Sequence, residues 1–259
     1  MKILVVGANG FVGRNICKKH LQLSDQVHVI CNNNRDKVPT GCIHEVVDNM
    51  VFDRTYFCIG NHTLNQQQNT KVLESLKDIL IWTQSNQHVL ISSVYANDTE
   101  SSVYAESKRL QENLIKSLCK NHIIIRPTYL FGDDMNGESL IPRWLKQAKE
   151  QKELSILGNP NRLQDYLHID DLVDLCIKLK PTNNPIVAAT GKSYSNLEIA
   201  NTIKECLPDT ELVFLNANLT SKSYSYDIRD IVSKFNWTPC RNIVDWIRYQ
   251  LRNENSNLQ

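Results

Sequence analysis

Short β-branched runs alternate with longer stretches of helical apolar periodicity through the first half of the chain. Ile3 to Val6 is a run of the first kind, and apolar positions then recur at helical spacing at Phe11, Val12, Ile16 and Leu21. That order predicts a strand, a tight turn and a helix. Val27-His28-Val29-Ile30 predicts a second strand, and Ile43 to Val47 and Arg54 to Ile59 predict two more. Val89-Leu90-Ile91 and Ile123-Ile124-Ile125 follow, each after a helix-length stretch rich in Leu, Glu and Lys. Strands alternating with helices predict an α/β fold, a doubly wound parallel sheet of Rossmann type covered on both faces. Beyond Gly132 the pattern shortens, with a helix expected over Leu140 to Lys152 and a strand over Leu154 to Leu157, and a smaller second lobe is expected to begin there.

The breaks between these runs carry the chemistry. Gly7, Gly10 and Gly13 stand at G-x-x-G-x-x-G spacing between the first strand and the first helix. In such a turn the first glycine permits the bend, the second lets the backbone approach a pyrophosphate, and the third lets helix pack on strand. Free amides at the helix N-terminus then face the anion.

Tyr104-Ala105-Glu106-Ser107-Lys108 puts a phenol and an ammonium one turn apart on one helix face. A nearby cation favours the phenolate and is expected to lower the tyrosine pKa, which makes the hydroxyl a usable acid near neutrality. Ser92-Ser93 ends the preceding strand, where a parallel sheet opens on its ligand crevice. Either serine could bond a substrate oxygen; Ser93, the second of the pair, is preferred. Tyr95 is the competing tyrosine, but Thr99 rather than lysine stands four residues later.

Composition narrows the partners. The 29 basic and 28 acidic residues are spread along all 259 positions and leave a net charge of +1, so no electrostatic footprint for nucleic acid or a membrane surface is present. A small-molecule partner is favoured. The eight cysteines include no C-x-x-C pair and read as free thiols in a reducing cytoplasm, the expected location. The seven histidines lack the spacing of a zinc helix, and no metal is expected. Met1 to Gly7 is too short in its apolar stretch for a signal peptide or a membrane span.

Gly7-Ala8-Asn9-Gly10-Phe11-Val12-Gly13 resembles the turn of the extended short-chain dehydrogenases/reductases, the epimerase, dehydratase and ketoreductase group that acts on nucleotide sugars. The resemblance runs nearly end to end. Asp48 is similar to the family aspartate that touches adenine, and Asn69-Thr70 resembles the family's N-x-x-G-T segment. Gly158 to Asp171, with Asp165-Tyr166-Leu167-His168-Ile169-Asp170-Asp171, is similar to its G…R-D-Y-x-H-V-D-D signature. Ala188 to Ser195 and Phe235-Asn236-Trp237-Thr238-Pro239 resemble late pieces of its substrate lobe.

The resemblance implies an NAD(P)-binding Rossmann domain over 1–133, continued by about 159–192, and a substrate lobe from 134–158 and 193–259. It implies cofactor contacts from Gly7, Asn9, Gly10, Phe11, Val12, Gly13, Asp48, Gly60, Tyr104 and Lys108, and catalysis by Ser93, Tyr104 and Lys108. A homodimer through helices that include the one bearing Tyr104 is also a family expectation. Three departures matter. The stretch between Ser93 and Tyr104 is short; Gln164 replaces the usual arginine before Asp165, with Arg162 a substitute for substrate binding; and Val94-Tyr95 stands where dehydratases carry Asp-Glu after the serine.

Without that acidic pair, elimination is not expected. The reading is an NAD(P)H-dependent reductase of a keto group on a nucleotide-linked 4-keto-6-deoxyhexose. A nucleotide-sugar 4-epimerase with retained NAD+ and a catalytically silent NAD(P) sensor are the alternatives. His168 reads as structural. The second strand ends without an acidic residue before Asp36, and Asn32 and Arg35 follow it, which favours NADPH over NADH.

Overall fold

The computed structural model describes residues 1–31, 35–46, 50–60, 65–97, 102–182, 184–216 and 222–256. In chain order the elements begin with β1 (Lys2–Val6), α1 (Phe11–Gln22), β2 (Gln26–Ile30), β3 (Val51–Phe52) and β4 (Arg54–Phe57). There follow α2 (Gln66–Trp82), β5 (Gln84–Ser85), β6 (His88–Ile91), a single 3-10 turn over Val94–Asn97, α3 (Val103–Leu118) and β7 (His122–Pro127). The chain continues through β8 (Tyr129–Phe131), α4 (Leu140–Gln151), β9 (Glu153–Leu157), β10 (Leu163–His168) and α5 (Ile169–Lys178). It ends with β11 (Ile186–Ala188), β12 (Ser193–Ser195), α6 (Asn196–Cys206), β13 (Glu211–Leu215), α7 (Arg229–Phe235) and α8 (Ile243–Ser256).

Two compact units result, one from 1–127 and 173–188, the other from 128–172 and 189–259. The first holds a six-stranded sheet in the order β11-β7-β6-β4-β1-β2, with every pairing parallel. The chain leaves β1 for β2 on one side and returns to β4 on the other, so the connection reverses direction between β1 and β4. Ligands of open parallel sheets bind outside the carboxyl ends of the strands at such a point.

Leu4, Val6, Phe57, Leu90 and Ile124 from these strands pack with Leu76 and Ile79 of α2 and Ile115 of α3 in one apolar cluster. Burial of the strands explains why they read as continuous apolar runs rather than alternating ones. Over the described part of the strand expected at Ile43 to Val47, residues 43–46, no strand is formed; Val47 lies outside the described residues. Ile43 makes a single parallel bridge to His28, with bonds to Val27 and Val29, and the polar His44-Glu45 that follows does not continue it.

The second unit has a three-stranded sheet, β12-β10-β8, and a parallel pair, β13 with β9. Its core joins Ile141, Trp144 and Leu145 of α4, Ile199 and Ile203 of α6, and Ile243 and Ile247 of α8. The Asp165 signature works here as an anchor. Its carboxylate accepts from Thr128 Oγ1 at 2.9 Å, from the Thr190 amide and hydroxyl, and from the Gly191 amide, which ties β10 to the two segments beside it. Asp171 does the same for the late Trp237-Thr238-Pro239 segment. Its oxygens accept from the Cys240 and Arg241 amides and, at 2.6 Å, from the Arg241 guanidinium, and its carbonyl accepts from Trp237 Nε1.

Candidate active site

The turn after β1 has the shape that its glycines predict. Gly7 lies at φ +84°, and a Cβ there would sit 2.4 Å from the Cys58 carbonyl oxygen just past β4. A Cβ on Gly13 would lie 2.2 Å from the Gly7 carbonyl oxygen, so α1 approaches the end of β1 as closely as backbone allows. Gly10 is different. Its Cβ would meet the Gly7 oxygen at 3.3 Å, a tight contact, and the Cys58 oxygen at 4.0 Å, so the fold demands glycine there less strictly than at Gly7 or Gly13. Gly10 caps α1 with no side-chain bond to the helix amides and no acidic residue in the first turn. Such an end suits an anion. Asn9, Phe11 and Val12 lie in the same turn and first helical residues, and the residues present fit a dinucleotide pyrophosphate.

Helix α3 starts where Ser102 accepts a bond from the Ala105 amide, one residue before the first helical position. Its buried face carries Lys108, Gln111 and Glu112, with Tyr104 one turn before Lys108 and half-buried. Lys108 Nζ donates to the Ile59 carbonyl at 2.7 Å, to the Ile91 carbonyl at 3.0 Å and to Gln111 Oε1 at 3.4 Å. Gln111 Nε2 in turn donates to Ser107 Oγ at 3.1 Å. Gly60 closes this pocket at φ +89°, since a Cβ on it would lie 3.2 Å from Gln111 Nε2 and 3.5 Å from Lys108 Nζ.

Burial disfavours charge on the ammonium and lowers the Lys108 pKa to about 8, against upward pulls from Cys58 and Glu112. Tyr104 shifts opposite to expectation. Its pKa is raised, chiefly by burial and further by Tyr95, while a hydrogen bond with Ser93 lowers it. The sequence argument had the lysine cation lowering it. In the structure that ammonium is held by two main-chain carbonyls, 5.9 Å from the ring centre, and burial prevails.

The two serines separate cleanly. Ser92 Oγ donates to Glu112 Oε1 at 2.5 Å and is thereby turned into the protein. Ser93 lies beside Tyr104, whose pKa it lowers, and its Oγ accepts from the Tyr95 amide at 3.3 Å. The Tyr95 ring stands edge-on to that of Tyr104, with centres 6.3 Å apart. Ser93, Tyr104, Lys108 and Gly60 thus meet beyond the carboxyl ends of β4 and β6.

Other expected site residues follow β2, belong to the second unit, or are outside the described residues. Asn32 and Asp48 are among the latter. Arg35 is described and exposed. Arg162 belongs to the second unit, where its Nε donates to the Lys222 carbonyl at 3.2 Å, and Gln164 is buried in β10. His168 packs edge-on to Phe131 and accepts from the Asp170 amide, and burial lowers its pKa. The sequence reading missed Gln111, Glu112 and Arg126. The signal was present for Glu112, which continues the four-residue spacing of Tyr104 and Lys108.

The first unit thus joins a Rossmann-type parallel sheet, a glycine turn at its reversal point, and Ser93, Tyr104 and Lys108 over neighbouring strand ends. Residues 82–187 match the family described as NAD dependent epimerase/dehydratase. In sequence the chain is similar to a dTDP-D-glucose 4,6-dehydratase of Dictyostelium discoideum, 29% identical over 107 residues, which is 39% of this chain. The match spans only 25% of the length of that relative. In structure it is similar to a UDP-glucose 4-epimerase of Thermotoga maritima solved with UDP-glucose, at TM-score 0.82 and 14% identity over 100% of both chains. It is also similar to a dTDP-glucose 4,6-dehydratase of Bacillus anthracis solved with NAD, at TM-score 0.80 and 17% identity, covering 99% of this chain and 97% of that one. At these identities the structural likeness speaks for the fold.

Proposed function

We propose that this chain is an NAD(P)H-dependent reductase of a keto group on a nucleotide-linked sugar, with a 4-keto-6-deoxyhexose as substrate. The observation that carries the reading is Tyr104, with Ser93 beside it, one helical turn before the buried Lys108, whose Nζ lies 5.9 Å from the Tyr104 ring centre. The match of residues 82–187 to the NAD dependent epimerase/dehydratase family supports nicotinamide chemistry. The relatives named above are a 4,6-dehydratase and a 4-epimerase, which supports a nucleotide sugar as substrate class. The Val94-Tyr95 pair after Ser93, in place of two acids, argues against elimination.

The Gly7, Gly10 and Gly13 turn would hold the pyrophosphate, and Lys108 the ribose beside the nicotinamide. When bound, the cofactor supplies the hydride. Ser93 Oγ then holds the substrate carbonyl oxygen, and the Tyr104 hydroxyl gives that oxygen its proton as negative charge develops on it. A raised phenol pKa keeps the proton on Tyr104 until it is needed. The Lys108 ammonium, one turn away, stabilises the phenolate left behind.

The test is loss of NADPH absorbance with UDP- or dTDP-linked 4-keto-6-deoxyglucose. Purified protein that carries tightly bound NAD+ and interconverts 4-epimers without added cofactor would replace this reading with the epimerase. Cofactor binding without turnover on either substrate would make the chain a sensor.

Two further outcomes test the cofactor assignments. Lys108 is an ammonium below about pH 8 and a neutral amine above it. Affinity for the cofactor should therefore fall as pH rises through about 8, and the step should vanish in Lys108→Met. Fluorescence titration of NADPH across that range checks this. Arg35, exposed after β2, would meet the 2′-phosphate of NADPH. Arg35→Ala should weaken NADPH by about ten- to a hundredfold, the range of a lost bond to a charged group, and leave NADH nearly unchanged. Equal affinity of the unaltered protein for both cofactors would remove the NADPH preference.

A further inference from the structure

The buried Glu112 and the half-buried Arg126 form an ion pair that the proposed chemistry does not use. Arg126, on β7, donates from Nε to Glu112 Oε1 at 2.8 Å and from its NH2 group to Oε2 at 2.6 Å, a two-bond fork. Glu112 is 2% exposed. The exposed Lys116 ammonium lies 3.9 Å from Oε2 and adds little. Such a pair is poor evidence for stability, because desolvating both charges offsets most of their attraction. What it touches says more.

Each end of the pair reaches the segment that carries Ser93. Glu112 Oε1 accepts from Ser92 Oγ at 2.5 Å, one residue before Ser93. The remaining NH1 group of Arg126 bonds Asn97 Oδ1, at the last residue of the 3-10 turn that follows Ser93. The Ser92 amide also donates to the Ile125 carbonyl at 2.7 Å, next to Arg126. One rigid guanidinium-carboxylate unit, fixed to α3 and β7, therefore grips the six residues from Ser92 to Asn97 at both ends. Between these grips the Ala96 amide donates to the Ser93 carbonyl at 3.0 Å.

We propose that the Glu112–Arg126 pair is a clasp that sets the position of the Ser93 hydroxyl against Tyr104, through Ser92 on one side and Asn97 on the other. Both are positioning residues, and the proposal rests on the reading of Ser93 and Tyr104 given above. Glu112 shares the α3 face of Tyr104 and Lys108, so the helix that holds the proton donor also holds the serine that orients the substrate. Arg126 is suited to the task because its planar fork serves both oxygens of Glu112 and still offers a third direction to Asn97; lysine could not do this.

The test uses the full chain with fluorotyrosine incorporated at position 104, read by fluorine NMR, with thermal unfolding measured in parallel. Ser93→Ala should move the resonance, since it removes the hydroxyl that lies beside the phenol. Ser92→Ala, Asn97→Ala and Glu112→Gln should each move it in the same sense, and none should move it further when combined with Ser93→Ala, as coupled residues are not additive. In the NADPH assay the same three should lower kcat by roughly ten- to a hundredfold, as for displaced reacting groups, with KM for NADPH unchanged. If Glu112→Gln fails to fold, the other two variants carry the test, because each cuts one grip and leaves the ion pair. A resonance that moves in Ser93→Ala but stays in place in Ser92→Ala and Asn97→Ala overturns the clasp alone. A resonance unmoved in Ser93→Ala overturns the assignment of Ser93, and the clasp with it.

Discussion

Replacing Tyr104 by Phe should lower turnover by about a hundredfold or more while cofactor affinity stays near that of the unaltered protein. The hydroxyl is the only atom removed. The edge-on contact with Tyr95 and the place of the ring 5.9 Å from Lys108 Nζ depend on the ring and remain. Lys108 keeps its bonds to the Ile59 and Ile91 carbonyls, neither of which involves Tyr104. The loss should therefore appear in kcat, with the proton donor gone and the cofactor site intact. Single-turnover kinetics with NADPH and a keto sugar, beside a cofactor titration, separate the two quantities. A variant that retains full turnover would show that another group delivers the proton, and Tyr95 would be the first to examine.

The second large effect concerns the phosphate turn, where two glycines of one motif should fail in different ways. Gly13→Ala places a methyl group 2.2 Å from the Gly7 oxygen, 2.8 Å from the Gly7 carbonyl carbon and 2.9 Å from the Ala8 Cα. All three are main-chain atoms, so α1 has to move away from β1. Overpacking of this kind costs about 3 kcal/mol or more, which should lower the unfolding midpoint by roughly 6–12 °C in a chain of this size. Gly10→Val should behave otherwise, since the nearest main-chain atoms lie at 3.3 and 4.0 Å. That variant should fold and lose the cofactor, because the branched side chain stands where the pyrophosphate approaches. Calorimetry with a cofactor titration on both variants checks the contrast. Unaltered stability of Gly13→Ala would contradict the close approach of α1 to β1, and full cofactor affinity in Gly10→Val would place the dinucleotide elsewhere.

These two predictions draw on different amounts of sequence information. The order of strands and helices, the glycine turn and the phenol-ammonium pair were legible because each rests on local spacing. A β-branched run between glycines forms a strand, and an i, i+4 pair shares a helix face, whatever lies around them. The near loss of the third strand was less legible. Ile43 to Val47 carries apolar ends around His44-Glu45, and only the neighbouring β2 decided that one bridge at Ile43 would form.

What tertiary structure alone decided is how charge and hydrogen bonds are shared among residues far apart in sequence. Spacing put Lys108 near Tyr104 and suggested a lowered phenol pKa. The fold instead brought the Ile59 and Ile91 carbonyls to the ammonium and buried the phenol, so the shift went upward. Nothing local distinguishes Ser92 from Ser93. The distinction came when Glu112 of α3 reached the end of β6 and took the Ser92 hydroxyl, with Arg126 of β7 holding Glu112 in place. The physical reason is the same in both cases. Local geometry follows from neighbours along the chain, whereas desolvation and the pairing of buried polar groups depend on which strands lie side by side.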